Sequence, residues 1–255
     1  MRNSTDGGAT WMSTTLDVAE HLYDIDLSAS YGYLVGAGGR VMAYNTGANL
    51  WQSLTSPTTL ALYRVQDLGN GKLWMVGEQG YLFYGFDGGQ SWLNKGRIAD
   101  NDLNGVWFTS SSTGYAVGRN GTFVRTTDAA YSWSGVSVNG LVNQHLYDIR
   151  AQGDEIVAVG EKVILYSNDA GASWTLSDYS TQNYRFHNAF FGDEGIWVVG
   201  TQDDVKSVVL LFAPEVVVEE IVEETPAEEP AADEPLVIIE ASPSSLIKLP
   251  CIGET

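Results

Sequence analysis

An aspartate and a tryptophan recur together along this chain of 255 residues. The aspartates are Asp6, Asp87, Asp128 and Asp169, and each stands five residues before a tryptophan. A carboxylate at such a place can bind a metal ion or accept hydrogen bonds from the amides of its own turn. The dense Asp-x-Asp-x-Asp spacing of a calcium loop is missing. We therefore predict a structural role for these residues and no metal site.

The tryptophans are almost evenly spaced. They are Trp11, Trp51, Trp92, Trp133 and Trp174, separated by 40, 41, 41 and 41 residues. Before the second of them a threonine replaces the aspartate. A constant period of this length indicates one supersecondary unit that is copied several times. We expect each tryptophan to pack between successive copies.

Basic side chains are the second set of candidate functional residues. We expect Arg40, Arg119 and Lys162 in turns between the second and third strands of a unit, and Lys95, Arg97 and Arg185 in the connectors between units. In a meander of four strands these turns and connectors share one face. The six residues therefore predict a basic rim that could bind a protein partner.

Motifs for catalysis are missing from the chain. It has no Gly-x-Ser-x-Gly elbow, Walker loop or His-Glu-x-x-His motif, and it lacks the Phe/Tyr-Arg-Ile-Pro motif of sialidases. Two of the three histidines, His21 and His145, begin the pentapeptide His-Leu-Tyr-Asp-Ile, which occurs twice, so repetition explains them. We predict no catalytic residue, no cofactor and no enzyme activity.

The elements that must position these residues are short strands. A hydrophobic stretch ends in Val-Gly once in every unit, and turns rich in Gly, Asn, Asp and Ser separate the apolar runs. In the first complete unit we predict strands near 22–27, 31–36, 40–45 and 50–54. Four strands in about 40–45 residues is the size of a β-propeller blade.

The number of units predicts the architecture. Four complete units span 22–55, 62–96, 103–137 and 146–178, and a fifth begins at residue 186 without an Asp box. An unpaired box and strand open the chain, so we expect the N-terminal and C-terminal strands to share one blade. The predicted fold class is all-β, a five-bladed β-propeller followed by an acidic C-terminal tail.

The paired signature Val-Gly-x-x-Gly and Asp-Gly-Gly-x-x-Trp resembles the BNR or Asp-box repeat, and most of all the photosystem II stability/assembly factor family. Residues 76–92 carry it nearly intact, and residues 117–133 carry it with Ala129 and Ala130 replacing two glycines. The resemblance covers roughly residues 4–212 and implies a β-propeller. Members of this family usually have seven blades and bind partners through an arginine-bearing patch, and Arg40 and Arg119 are the positions that could correspond.

The C-terminal part of the chain differs in composition. Residues 215–240 contain ten acidic residues and no basic one, within a net charge of −19. We predict a propeller domain at 1–212, an acidic Pro/Glu-rich linker at 213–240 and an apolar docking peptide at 241–255 that binds another subunit. So acidic a chain should repel nucleic acid and anionic membranes. The single cysteine, Cys251, excludes an internal disulfide.

Three functions remain open from the sequence. The favoured one is a non-enzymatic, protein-binding component of a virion, such as a phage tail, baseplate or capsid-decorating protein. The alternatives are a photosystem II-type assembly factor and a glycan-binding or sialidase-like propeller. The sequence shows no signal peptide and no apolar run long enough to span a bilayer, so a virion or cytoplasmic location is predicted over the thylakoid lumen.

Overall fold

The chain folds as an all-β protein in the computed structural model, which describes residues 2–3, 6, 8–13, 16, 18–28, 31–45, 50–212 and 237–238. Its architecture is a β-propeller with five blades of four strands each, as the repeat predicts. A separate two-stranded sheet lies at the N-terminus.

The described strands follow the repeat closely. They are β1 (Arg2–Asn3), β2 (Met12–Ser13), β3 (Leu22–Leu27), β4 (Tyr31–Gly36), β5 (Val41–Asn45), β6 (Leu50–Ser53), β7 (Leu62–Asp67), β8 (Leu73–Gly77), β9 (Tyr81–Gly85), β10 (Trp92–Arg97), β11 (Leu103–Phe108), β12 (Gly114–Gly118), β13 (Phe123–Thr126), β14 (Ser134–Gly135), β15 (Leu146–Gln152), β16 (Glu155–Gly160), β17 (Val163–Ser167), β18 (Thr175–Asp178), β19 (Tyr184–Gly192), β20 (Gly195–Gln202), β21 (Lys206–Phe212) and β22 (Val237–Ile238). Blades one to five start at β3, β7, β11, β15 and β19, and in each the strands pair in chain order. Short 3-10 turns at Ala37–Gly39 and Glu78–Gly80 join the second and third strands of the first two blades.

The chain divides into two compact units. The first comprises Met1–Met75 and Phe83–Asn94, and the second comprises Val76–Leu82 and Lys95–Thr255. The first unit holds the first blade with the N-terminal sheet, and the second holds the third, fourth and fifth blades. The strands of the second blade are divided between the two units.

The core of the second unit consists of apolar layers between successive blades. In one layer Tyr115 and Val117 of the third blade pack with Leu146 and Ile149 of the fourth. In the next, Val157 and Val159 of the fourth blade belong to a cluster with residues of the fifth. The second strand of one blade contacts the first strand of the next, so burial is distributed over repeated interfaces.

The marker glycines Gly36, Gly118, Gly160 and Gly200 each permit a close approach inside their blade. A Cβ added at Gly160 would lie 2.1 Å from the carbonyl oxygen of His145, which immediately precedes the first strand of the same blade. The corresponding distance is 2.0 Å at Gly118 and 2.2 Å at Gly200. The close approach allows a hydrogen bond from the next residue, because Glu161 N–H donates to His145 O at 2.7 Å. Any larger residue at the marker would push these strands apart.

Aspartates of the first strands tie neighbouring blades together. Asp24 accepts a hydrogen bond from Val65 N–H at 2.9 Å and an ion pair from Arg64 at 3.2 Å. At the equivalent place in the fourth blade, the fully buried Asp148 accepts from Ala189 N–H of the fifth blade at 3.1 Å. A carboxylate can be buried here because amides and a guanidinium satisfy it.

The predicted sharing of one blade by the two chain ends is wrong. Met12–Ser13 pairs with Arg2–Asn3 in the two-stranded sheet. The fourth strand of the fifth blade is instead Val237–Ile238, which pairs in parallel with Val208 and Val209. The physical reason is that β21 has an edge that an extended, apolar segment can extend, and the tail supplies one. The predicted linker at 213–240 therefore contributes a strand at Val237–Ile238, while 241–255 lies outside the described residues.

Candidate functional site

The Asp-box carboxylates each accept hydrogen bonds within their own turn. Asp169 accepts from Ser173 N–H at 2.9 Å and from Ser173 Oγ at 2.5 Å. Asp128 makes the same pair of bonds with Ser132, at 2.9 and 2.6 Å. Asp6 bonds Thr10 in the same way, and Asp87 accepts from Ser91 N–H at 2.7 Å. This bonding fits the predicted structural role.

Hydrogen bonding lowers the pKa of these carboxyl groups. The hydroxyl and amide of Ser173 hold the pKa of Asp169 at about 2, and those of Ser132 hold the pKa of Asp128 at about 2. The pKa of Asp87 is lowered chiefly by its bond to Ser91. Each bond favours the charged form, so these groups are anions at neutral pH and are used inside the turn.

Two of the box turns force residues with a side chain into left-handed backbone. Gly88 and Gly89 have positive φ in the second blade, as the signature requires. Ala129 and Ala130 keep the same conformation in the third blade, with φ of 60° and 61°. Ala170 does so in the fourth, at 54°. The turn geometry persists even where glycine has been replaced, at some cost in strain.

The box tryptophans differ in their surroundings. Trp92 Nε1 donates to Thr55 O at 2.8 Å, and the Trp174 ring centroid lies 4.8 Å from that of Phe123, so both contact the preceding repeat. Trp133 and Trp51 have their ring contacts inside their own blades, with Phe108 and Tyr44. Trp11 is exposed.

The basic residues are placed only partly as predicted. Arg40, Arg119 and Lys162 lie in turns between second and third strands. Lys95 and Arg97 lie within β10, and Arg185 within β19, so their expected positions in connectors are wrong. The fourth strand of the second blade runs further than expected, to Arg97. The Lys95 ammonium consequently lies over the ring of Tyr131, 4.7 Å from its centroid, in the Asp-box turn of the third blade.

The arginines are paired with acidic side chains of this chain. Arg40 pairs with Glu20 at 2.6 Å, Arg97 with Asp100 at 3.8 Å, Arg119 with Asp102 at 3.2 Å, and Arg185 with Asp204 at 2.8 Å. Each of these arginines therefore lies beside an acid, and the predicted purely basic character is not observed at any of them. Exposed pairs of this kind are worth about 0–1 kcal/mol each, so a partner's charges can replace them at low cost.

A chain of hydrogen bonds and an ion pair joins two of these arginines, Arg97 and Arg119, in the second unit. Arg97 Nε donates to Gln79 O at 2.9 Å, and Gln79 N–H donates to Asp102 Oδ1 at 2.9 Å. Asp102 pairs in turn with Arg119. The positive charges of Arg185 and Arg119 both act to lower the pKa of Tyr147. We call Gln79, Arg97, Asp102, Arg119, Tyr147, Glu161, Arg185 and His187 the turn band.

Bulges in the first strands aim side chains at this band. The pairing register shifts between Leu146 and Asp148, and again between Phe186 and Asn188. Tyr147 and His187 are the extra residues, and their rings lie 5.7 Å apart across two blades. Bulges are frequent beside functional sites, where they redirect a side chain. Our sequence analysis missed both residues, although the repeated His-Leu-Tyr-Asp-Ile pentapeptide could have indicated Tyr147.

Partial burial favours the uncharged form of both rings in this pair. It raises the pKa of Tyr147, with Glu161 and Asp204 adding to the rise against Arg185 and Arg119. Burial also lowers the pKa of His187, and Arg185 lowers it further. At neutral pH the pair is a phenol beside a neutral imidazole, flanked by arginines. Such a surface can stack on apolar groups and donate hydrogen bonds.

The first unit has an equivalent bulge. The register shifts between Leu22 and Asp24, and the Tyr23 ring lies 5.4 Å from that of Tyr63 in an edge-to-face arrangement. Arg40 lies in the same unit with its partner Glu20, whose pKa it lowers through their hydrogen bond. Aromatic pairs at bulges are thus a repeated feature of the first strands.

Within the described ranges, no three His, Cys, Asp or Glu side chains are grouped closely enough to hold a metal ion. None of the helical segments in the described part of the chain has the length and apolar character needed to cross a membrane.

Fold and repeats together define the class of this protein as an Asp-box β-propeller. A family model described as the photosynthesis system II assembly factor YCF48 matches residues 3–105 and 95–183. This chain therefore belongs to the YCF48 family of photosystem II assembly factors, as its signature suggested.

Curated relatives agree with the family, and a solved structure shares the fold. The chain is 30% identical over 139 residues to the photosystem II assembly lipoprotein Ycf48 of Prochlorococcus marinus (strain MIT 9313), covering 51% of this chain and 41% of that protein. It is 26% identical over 212 residues to the protein of that name from Synechococcus sp. (strain CC9902), covering 78% and 63%. YCF48 from Cyanidioschyzon merolae shares the fold, with a TM-score of 0.60, 16% identity and coverage of 78% and 73%. This chain thus spans about two fifths to three fifths of the curated relatives' length.

These findings correct two predictions from the sequence. The virion component, our favoured function, is wrong because the family and both curated relatives are photosystem II assembly proteins. The predicted virion or cytoplasmic location is also wrong, because those relatives are assembly lipoproteins of cyanobacteria. Few lysines and an acidic tail are general features of composition. They do not distinguish a virion component from a photosystem II assembly protein.

Proposed function

We propose that this chain acts in photosystem II assembly as a non-catalytic protein that binds a polypeptide partner. The observation that carries the proposal is the family match, which spans residues 3–183 in two overlapping parts. The names of the curated relatives support the same role and a site of action at the photosynthetic membrane. Because the chain spans only part of those relatives, their complete activity is a proposal here.

The turn band is the binding face in this proposal. It combines the Tyr147–His187 ring pair with Arg119 and Arg185, whose side chains are 55% and 39% exposed. Aromatic rings supply most of the contact energy at protein interfaces, and arginines supply paired hydrogen bonds to carboxylates. A partner's carboxylate can take the place of Asp102 or Asp204, since the exposed pairs are weak.

Two features support the absence of catalysis. A tyrosine nucleophile must ionise, whereas the pKa of Tyr147 is raised. A sialidase-type site also needs arginines that converge on the substrate's carboxylate. Arg97, Arg119 and Arg185 are instead each paired with an acid of this chain. No observation favours the glycan-binding alternative.

The function can be tested by partner capture. We would immobilise the 255-residue chain, pass over it detergent-solubilised membranes of Synechococcus sp. (strain CC9902), and quantify the retained photosystem II subunits by mass spectrometry. We expect enrichment of incompletely assembled photosystem II over the complete complex. Retention of no photosystem II subunit above a bare-resin control would contradict the proposed function.

A charge-reversal pair tests the face. Arg119→Glu with Arg185→Glu should reduce retention at least about tenfold, since like charges would meet the partner. Arg2→Glu with Lys72→Glu changes the net charge by the same amount, at exposed positions that do not belong to the turn band, and should retain normally. Equal retention by both double variants would remove the turn band from the proposal and leave the assembly role standing.

A further inference from the structure

Three turns between second and third strands are fixed, within the second unit, by the blade that follows each of them. Gln79, Asn120 and Lys162 occupy the same place in these turns, with left-handed backbone at φ of 59°, 53° and 63°. This conformation is strained for a residue with a Cβ. The backbone N–H of each residue donates to an acceptor on the next blade. We call these three hydrogen bonds the turn clamps.

A side chain is the acceptor in two of the turn clamps. Gln79 N–H donates to Asp102 Oδ1 at 2.9 Å, and Asn120 N–H donates to His145 Nδ1 at 3.1 Å. Asp102 and His145 each stand immediately before the first strand of their blade. His145 therefore holds the turn of the third blade as Asp102 holds the turn of the second.

The clamp at His145 exists only while the imidazole is neutral. A neutral imidazole has one acceptor nitrogen, so the bond to Nδ1 places the ring proton on Nε2. A charged imidazole has two donors and no acceptor, and histidines change charge between about pH 5 and 8. Carboxylates and backbone carbonyls ordinarily accept hydrogen bonds throughout that range. These are the acceptors of the other two clamps, in one of which Lys162 N–H donates to Tyr184 O at 2.9 Å.

The clamped turn of the third blade carries Arg119, a residue of the turn band. Arg119 precedes Asn120, and its own N–H donates to Asp102 O at 3.0 Å. On the other side of Asn120, Gly121 N–H donates to Gln144 O at 2.8 Å. Loss of the bond to His145 would therefore loosen the middle of the turn without detaching its ends.

We infer that His145 is a positioning residue for the turn band, and that its protonation releases the turn that carries Arg119. The neutral ring holds the Asn120 amide and so limits the positions open to the neighbouring arginine. The charged ring removes the acceptor and adds a positive charge beside a turn that already has one. Partner binding by the turn band should therefore weaken on acidification. This consequence rests on the proposed function, whereas the opening of the clamp does not.

Charged and titratable groups come from each element packed against His145. They are Arg119 in the third blade's turn, with its partner Asp102; Tyr147, two residues along the chain; and Glu161 and Lys162 in the fourth blade's turn, where Arg185 pairs with Glu161. Guanidinium, ammonium, carboxylate and phenol groups ordinarily keep one charge state between about pH 5 and 8. A change at the Asn120 amide in this range therefore reports the imidazole.

NMR spectroscopy of the isotope-labelled full chain tests the inference without a partner. At about pH 8 the ring nitrogens of His145 should show the Nε2–H tautomer. Between about pH 8 and about pH 5.5, protection of the Asn120 amide from hydrogen exchange, corrected for the intrinsic rate, should fall about five- to tenfold. The Gln79 amide is an internal control whose protection should stay constant, because its acceptor is a carboxylate.

His145→Asp copies the clamp of the preceding junction into this one. The Asn120 amide should then keep its protection at both pH values, although His187 is still present to titrate. The matched control is His21→Asp, the same change in the other copy of the pentapeptide, which should leave the fall at Asn120 unaltered. An Nδ1–H tautomer, constant protection of Asn120 in the unmodified chain, or an equal fall at Gln79 would overturn the inference. So would a fall at Asn120 that persists in His145→Asp.

The capture of photosystem II subunits separates this inference from the proposed function. Retention by the unmodified chain should fall at least about fivefold between about pH 8 and about pH 5.5, and retention by His145→Asp should fall less. Equal losses by the two chains would show that His145 does not position the turn band. No retention at about pH 8 would contradict the proposed function, while the Asn120 amide would still decide whether the clamp opens.

Discussion

At the scale of single residues, the Asp-box carboxylates show how one side chain can fix a turn. The two oxygens of Asp169 bind the amide and hydroxyl of Ser173, while Asp128 does the same with Ser132. Both oxygens of the aspartate are therefore occupied by hydrogen bonds within its own turn. This explains why it recurs at a constant five residues before the tryptophan.

Replacing Asp169 should make the fold less stable in a pH-dependent way. Its folded pKa is about 2, below the ordinary value of 3.8, so its charged form stabilises the fold above pH 4. That contribution is lost as pH falls from about 4 to about 2. We expect Asp169→Ala to lower the thermal midpoint at pH 7 and the difference from the unmodified chain to shrink towards pH 2. The exposed Asp193→Ala serves as control, and an unchanged difference at pH 2 would refute the explanation.

The alanine at position 170 should be a stabilising site for glycine. Left-handed backbone costs a residue with a Cβ about 1–2 kcal/mol, while glycine loses about 0.5–1 kcal/mol more entropy on folding. Ala170 has a φ of 54° and is exposed. Ala170→Gly should therefore raise the free energy of unfolding by about 0.5–1 kcal/mol in a denaturant titration. Ala172→Gly, in the same turn without positive φ, should lower it; equal effects of the two changes would count against strain.

At the scale of elements, two devices shape the first strand of the first, third, fourth and fifth blades. The Val-Gly glycine lets the end of the second strand touch the carbonyl that precedes the first, as Gly160 does with His145. A bulge one residue into the first strand then turns Tyr147 or His187 towards the turn band. Strand geometry and candidate site are therefore parts of one repeated design.

Substitution of a marker glycine should disrupt the blade. Gly160→Ala would place its Cβ 2.1 Å from His145 O, a backbone atom that cannot move without separating two strands. We expect a loss of about 1–3 kcal/mol in the free energy of unfolding, measured by chemical denaturation. Gly135→Ala, where nothing lies within 4 Å of the added Cβ, is the matched control. A loss no larger than the control's would show that the close approach is not needed.

At the scale of the whole molecule, the net charge and the repeated apolar layers have opposite effects on the stability of the fold. Repeated apolar layers hold the blades together, while a net charge of −19 makes the chain repel itself. The surface ion pairs of the turn band are worth only about 0–1 kcal/mol each, so they cannot outweigh this repulsion.

Salt should therefore stabilise the fold. Raising the ionic strength from about 0.01 to 0.15 M shortens the screening length from about 30 to 8 Å and weakens repulsion between distant carboxylates. We expect the thermal midpoint, measured by calorimetry at low protein concentration, to rise across this range. A midpoint that falls instead would mean that the ion pairs dominate over net charge.

Sequence by itself determined the fold class, because a period of 41 residues repeats the same turn and strand signals. The predicted strands 22–27 and 31–36 match β3 and β4, since glycine-rich turns mark strand ends locally. The signature also indicated the right family, although composition alone led us to the wrong function. These features depend on residues close together in the chain.

Only the tertiary structure decided what depends on distant residues. It pairs each rim arginine with an acid, brings Tyr147 and His187 together across two blades, and gives the fifth blade a strand from the tail. A repeat specifies the same local geometry every time, whereas the neighbour that each copy meets is set by its place in the fold.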